Sequence, residues 1–362
     1  VVCALADLRT MAQCAREQCL KISRASWFAC ILTASLAAGA AVAASRSDAG
    51  PDAAAAASIR YNAEFVDEPA RADPLSMTLA ATLMPVTGEA SSAQAASQGD
   101  LLAEAARRAP DDVLVQWLAA LHAPADAALS PAAQALLRLE PGNGAAWMFA
   151  LQAAARANDA DGVTEALRRI GTAARFDTHF ADVALAWEKV FRAHPVPLPA
   201  ERTAGFQIDE QPLIRGIARA TAVAMPAFRL LIRACAPADR VPLRSERREP
   251  CIAAGRLMFD HSAEQSSRAV GALILDKTDA PDRETASRTY DYLQQTYSAA
   301  FASVQTDETA YRQFAADWRE TRRETAVIER LLSRAGLPMT PPADWKPVRT
   351  DRIALREQSV GR

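Results

Sequence analysis

The chain has 362 residues, a formal net charge of −2 and only 14 glycines. A near-neutral balance excludes the net basic face that nucleic-acid binding requires, and so few glycines at this length argue against glycine-rich phosphate cradles. The length suffices for one elongated or two compact domains.

At the N-terminus, Lys21 and Arg24 precede an uncharged, mostly apolar run from Ala25 to Ala44, and Ala41-Val42-Ala43 supplies an A-x-A cleavage signal. Basic, apolar and small residues in that order form a secretory signal peptide. The alternative is a retained anchor, because an apolar run of about 20 residues can span a bilayer; membrane attachment would then depend on that segment. Residues before Leu20 fit no targeting pattern and the chain begins with Val, so 1–44 reads as a mis-assigned start plus signal peptide. Cleavage would remove Cys3, Cys14, Cys19 and Cys30 and leave a chain with a charge near −4. The expected location is periplasmic or secreted. Residues 45–58, SRSDAGPDAAAAAS, read as a low-complexity linker.

The chain from 59 to 337 lacks alternating β-branched stretches and reads as helical throughout. Asp73-Pro74 and Ser130-Pro131 each place a capping residue before a proline at the first helical position. Within 59–200, RRAPDDVLVQWLAAL and LRLEPGNGAAWMFAL align, with Pro110 before Trp117 and Pro141 before Trp147, and Trp187 extends the series. Asn158 to Gly162 is superficially like a calcium loop, but aligning Gly162 with the turn glycine puts Ala157 and Arg168 at ligand positions, so calcium fails. A turn between helices is the better reading. Asp177 opens a further helix on which Phe180, Val183, Ala184 and Trp187 share a face. The segment 141–170 resembles a tetratricopeptide repeat: Trp147 stands at the aromatic of the first helix, ANDADG makes the turn, and Val163, Leu167 and Ile170 fill packing positions of the second. That resemblance implies stacked helix pairs, each covering the apolar face left open by its neighbour.

Within 201–337, Asp209 to Ala234 reads as one long helix interrupted near Gly216 and Pro226. Cys251 onward reads as a second long helix reaching Lys277. Between them runs CAPADRVPLRSERREPC. With Cys235 and Cys251 the only cysteines left after export, and with no CxxC or Cys/His cluster, the pair reads as a disulfide pinning a loop between two helices. The region resembles uncharacterised exported proteins of gammaproteobacteria with a Cys-bounded loop between two helices, which implies compartment and fold but no activity. Two apolar stripes follow. Tyr290, Leu293, Tyr297, Phe301 and Val304 form the first, and Tyr311, Phe314, Trp318, Thr325, Ile328 and Leu332 form the second, interrupted at Arg322. They read as an antiparallel hairpin, with Thr306 as the N-cap of the second helix. Residues 338–362 are a proline-rich tail, with Trp345 pinned back on the surface.

Chemistry is sparse. There is no HExxH helix and no GxSxG elbow. Of the four histidines, Asp260-His261 is the tempting pair, but consecutive helical residues point about 100° apart. Glu246 and Glu249 sit among Arg244, Arg247 and Arg248 and read as a solvated cluster. Lytic transglycosylases resemble this chain in gross helical architecture, but their catalytic Glu is followed by Ser, and the chain contains no Glu-Ser pair.

The sequence therefore predicts an all-α protein: a TPR-like, right-handed helical-repeat solenoid packed against a C-terminal helical bundle. Trp117, Trp147 and Trp187 are expected to be buried in repeat packing. The function expected is a non-catalytic interaction module of the cell envelope, without metal or cofactor, taking a protein or peptide on concave polar positions Gln116, Asn143 and Gln152. The alternatives are an unrecognised periplasmic enzyme, for example one acting on peptidoglycan, and a structural accessory of a larger envelope complex.

Overall fold

A computed structural model of the chain describes residues 73–83, 92–123, 128–195, 206–208, 211–236 and 243–347. The signal segment, the 45–58 linker and the tail beyond 347 lie outside the described residues. Among the described residues there are fourteen α-helices and no strand.

Six helices come first: α1 Pro74–Leu83, α2 Ser92–Arg108, α3 Val113–Leu121, α4 Pro131–Leu139, α5 Gly144–Arg156 and α6 Ala160–Gly171. Most of their starts are chemically explicit. Asp73 Oδ1 accepts from the N–H groups of Leu75 and Ser76 at 3.0 and 3.1 Å. Asp112, Ser130, Asn143 and Asp159 cap α3 to α6 through their side-chain oxygens, each satisfying a backbone donor that the helix itself cannot. Successive helices from α1 to α6 pack on one another. The α5–α6 turn is made by Asn158 in the left-handed region, φ 55°. The outer face of α6 lies chiefly against α10 (Ser245–His261).

Helices α7 (Phe180–Ala193) and α8 (Pro212–Val223) pack closely on one another. Gly216 permits it: a Cβ there would lie 2.3 Å from the Ala184 carbonyl oxygen. Gly216 is thus a packing glycine inside a continuous helix, not an interruption. Pro226 does break the chain, which leaves α8 at Val223 and resumes as α9, Arg229–Cys235. The second long helix also divides, into α10 and α11 (Gln265–Lys277). Its break at Ser262–Glu264 is imposed from a distance. The Ala263 N–H donates to Phe176 O at 2.9 Å and the Phe176 N–H to His261 O at 3.2 Å, which draws the corner out against the segment before α7.

Cys235 and Cys251 are joined, with Cα atoms 5.5 Å apart. The expected loop is shorter than the cysteine spacing, because α10 starts at Ser245 and carries Pro250 within it. The bridge therefore links the end of α9 to the second turn of α10. Pro250 costs that helix one bond, since it has no N–H for the carbonyl four residues back.

The C-terminal helices are α12 (Arg283–Thr306), α13 (Glu308–Thr321) and α14 (Glu324–Arg334). The expected hairpin is a three-helix bundle, because Arg322 adopts the left-handed region, φ 51°, and splits the second stripe in two. The cap of α13 is Asp307 rather than Thr306. Asp307 Oδ1 accepts from Thr309 N at 2.6 Å and Ala310 N at 3.2 Å, whereas Thr306 is the last residue of α12. Trp345 packs edge-on against Tyr292 with ring centroids 5.4 Å apart. One apolar cluster runs from Leu79 in α1 to Leu331 in α14 and includes Trp117, Trp187 and Trp318. Trp147 departs from expectation. It lies one position outside the inward face of α5, is half-buried, and its indole donates to Pro141 O at 3.0 Å beneath Arg169.

Candidate functional site: a charged cleft and an apolar trough

A cluster of charged groups forms where the α4–α5 corner, the start of α7 and the α13–α14 turn meet. His179 sits immediately before α7, in the left-handed region with φ 55°, and is 6% exposed. Its Nε2 lies 2.8 Å from Glu140 Oε2 and its Nδ1 3.4 Å from Asp182 Oδ2. Arg322 reaches Asp182 Oδ1 at 2.6 Å, and Arg175 pairs with Glu140. Glu140, His179, Asp182 and Arg322 border a cleft of about 390 Å³ that Leu75, Asp112, Val113 and Leu114 also line. Burial disfavours a charged imidazole here, but the hydrogen bonds to Asp182 and Glu140 overcome it and raise His179 to about 10. Glu140 and Asp182 are held below the usual carboxylate range, because the His179 contacts and neighbouring arginines outweigh their burial. The result is an imidazolium between two carboxylates. With both ring nitrogens protonated it has no lone pair to act as a base near neutrality.

The second feature is a trough of about 610 Å³ built from α2, α3 and α4. Helix α3 packs on both α2 and α4; it forms the floor and the other two form the walls. Leu102, Ala103, Ala106, Ala119, Ala132 and Ala135 make the surface apolar, Arg107 and Arg138 line it as cations, and no carboxylate lines it among the described residues.

The three expected binding residues separate in this structure. Gln116 lines the trough but is 2% exposed, and its amide donates to Ala106 O and Ala109 O at 2.9 and 3.0 Å. Asn143 is fully buried. Its Nδ2 donates to Glu140 Oε2 at 3.1 Å and Asp177 O at 2.8 Å, while its Oδ1 accepts from Ala145 N and Asp177 N. Both are ties between segments, not groups presented on a concave face. Gln152 is half-buried on α5, away from the trough lining. The Glu140–His179–Asp182 constellation has little sequence signal. Only the three-residue step from His179 to Asp182 is local; Glu140 is 39 positions from His179.

A further set of acids is buried in the frame. Glu188 pairs with Arg192 and Arg319, and Asp317 with Arg330 and Arg334. Glu264, 1% exposed, accepts from Thr178 N at 2.8 Å and from the Ser267 hydroxyl at 3.1 Å. Glu324 accepts from Gln265 N at 2.8 Å at the start of α11. Burial, with Asp177 nearby, pushes Glu264 up to about 8, and burial pushes Glu324 up to about 7. No group of three or more His, Cys, Asp or Glu side chains is placed to hold a metal ion among the described residues, and none of their helices is long and apolar enough to cross a membrane. Comparison with protein-family models, with curated proteins and with solved structures returns no significant match.

Proposed function

We propose that this chain is an exported, non-catalytic interaction protein of the cell envelope, a TPR-like helical stack that takes a protein or peptide partner in the α2–α4 trough. The trough carries the reading. It is an apolar concavity with cations on its walls and no acid–base pair in its lining among the described residues, the chemistry of recognition rather than of bond breaking. The stepwise packing from α1 to α6 favours a repeat-like stack. A disulfide between Cys235 and Cys251 is compatible with an oxidising compartment. An enzyme reading has one observation on its side, the convergence of Glu140, His179 and Asp182 at a cleft. A histidine protonated up to about 10 and tied at both nitrogens weighs against proton transfer there.

The test is comparative capture from envelope extract with the wild-type chain and with Gly99→Trp. Gly99 lines the trough, and a Cβ at that position meets nothing within 4 Å, so a large side chain introduced there is expected to obstruct the trough. Selective loss of a defined partner from the folded variant is expected. Identical recovery by both chains would rule the trough out as the binding surface.

A further inference from the structure

We infer that the trough receives an acidic amphipathic α-helix, its apolar stripe seated on α3 and its carboxylates facing the arginines of the walls. This rests on the trough being the binding surface and names the chemistry of what fills it.

The uncharged polar side chains of the lining already hold hydrogen bonds within the protein. The Gln116 amide donates to Ala106 O and Ala109 O, the Gln134 amide to Leu129 O at 2.9 Å, and His122 Nε2 lies 3.2 Å from Val223 O. Ser130 Oγ accepts from Ala133 N at the start of α4. An extended segment laid on these walls would therefore leave its own N–H and C=O groups without partners, at a cost of about 1–3 kcal/mol for each group buried. A helix closes those bonds internally and asks the trough only for apolar contact. The alanines of the lining suit that geometry, because small side chains let a helix approach closely.

Charge selects among helices. Arg107 pairs with Glu104 one turn earlier on α2. Arg138, on the opposite wall, is exposed and has no ion pair among the described residues. An occupant with carboxylates beside its apolar stripe meets complementary charge, whereas a lysine-bearing one meets like charge.

The experiment is fluorescence anisotropy with the full chain and a labelled synthetic peptide of about four helical turns, with leucines at i, i+3, i+4 and i+7 and glutamates flanking them. Saturable binding of this peptide is expected. Exchanging its glutamates for lysines should weaken binding by about tenfold or more, and so should a proline at its centre. Arg138→Glu should weaken the glutamate peptide and strengthen the lysine peptide. Circular dichroism checks the fold of each variant, and Ala103→Trp, on an exposed part of the α2 wall, provides a second obstruction should Gly99→Trp misfold. No saturable binding of the glutamate peptide, or equal binding of the glutamate and lysine peptides, overturns the inference. Equal binding of the proline peptide that Gly99→Trp still blocks overturns the helix but leaves the trough standing. Peptide binding indifferent to both obstructing variants removes both.

Discussion

Replacing Glu264 by glutamine should make the fold less sensitive to alkali. The carboxyl is buried at the α10–α11 corner, accepts from Thr178 N and the Ser267 hydroxyl, and is shifted from 4.5 to about 8 by burial and by the charge of Asp177. A carboxyl raised in the folded state retains a proton that the unfolded chain releases. Its contribution is therefore fully present below the unfolded value and is lost as pH rises through the folded one. At about 1.4 kcal/mol per unit, that shift is on the order of 5 kcal/mol of stability lost between about pH 5 and pH 9. Glutamine keeps the shape and an oxygen for Thr178 N, and the serine hydroxyl can turn to accept from the new amide. Glu264→Gln should match wild type within about 1–2 kcal/mol near pH 5 and exceed it near pH 9. Glu324, raised to about 7 by burial, keeps some slope in both proteins. Guanidinium unfolding followed by the fluorescence of buried Trp117, Trp187 and Trp318 measures this. Parallel stability curves for the two proteins from about pH 5 to pH 9 would refute the buried-acid explanation.

Three other outcomes follow from the same frame. His179→Gln removes the cation between Glu140 and Asp182 and should cost about 3–5 kcal/mol near neutrality. Because His179 is raised from 6.5 to about 10, its contribution is whole below about 6.5 and is lost as pH rises from there through about 10, so the deficit measured by denaturation should shrink in alkali. Serine at both Cys235 and Cys251 should lower stability by about 2–5 kcal/mol, and a reductant should bring the wild type to the same denaturation midpoint as the variant. Gly216→Ala should cost about 1–3 kcal/mol or more in urea unfolding, because its Cβ would meet the Ala184 carbonyl oxygen at 2.3 Å.

Local chemistry was readable in the sequence where cause and effect lie within one turn. The Asp73-Pro74 and Ser130-Pro131 starts are of this kind, since a side-chain oxygen and a pre-set φ act on the next few residues. The break at Pro226 is another. Gly216 was misread because a helical glycine permits either a kink or a close approach, and only the neighbouring α7 decides which. The corner at Ser262–Glu264 was hidden for a similar reason: it is held by Phe176, far away in the chain. Gln116 lines a concavity, but its amide turns to backbone carbonyls, which the residue type does not reveal. Glu140 and His179 share no sequence pattern, and only the packing of α4, α5 and α7 brings them together.

Photo-crosslinking from two positions in the chain tests the proposed binding surface most directly. One photoreactive residue replaces Ala103, on the exposed wall of the trough, and the other replaces Asp182 in the charged cleft. A partner captured from position 103, absent from position 182 and lost when Gly99→Trp is added is the expected result. Equal capture from both positions, or capture from the cleft alone, would contradict the assignment of the trough and turn attention to the Glu140–His179–Asp182 site.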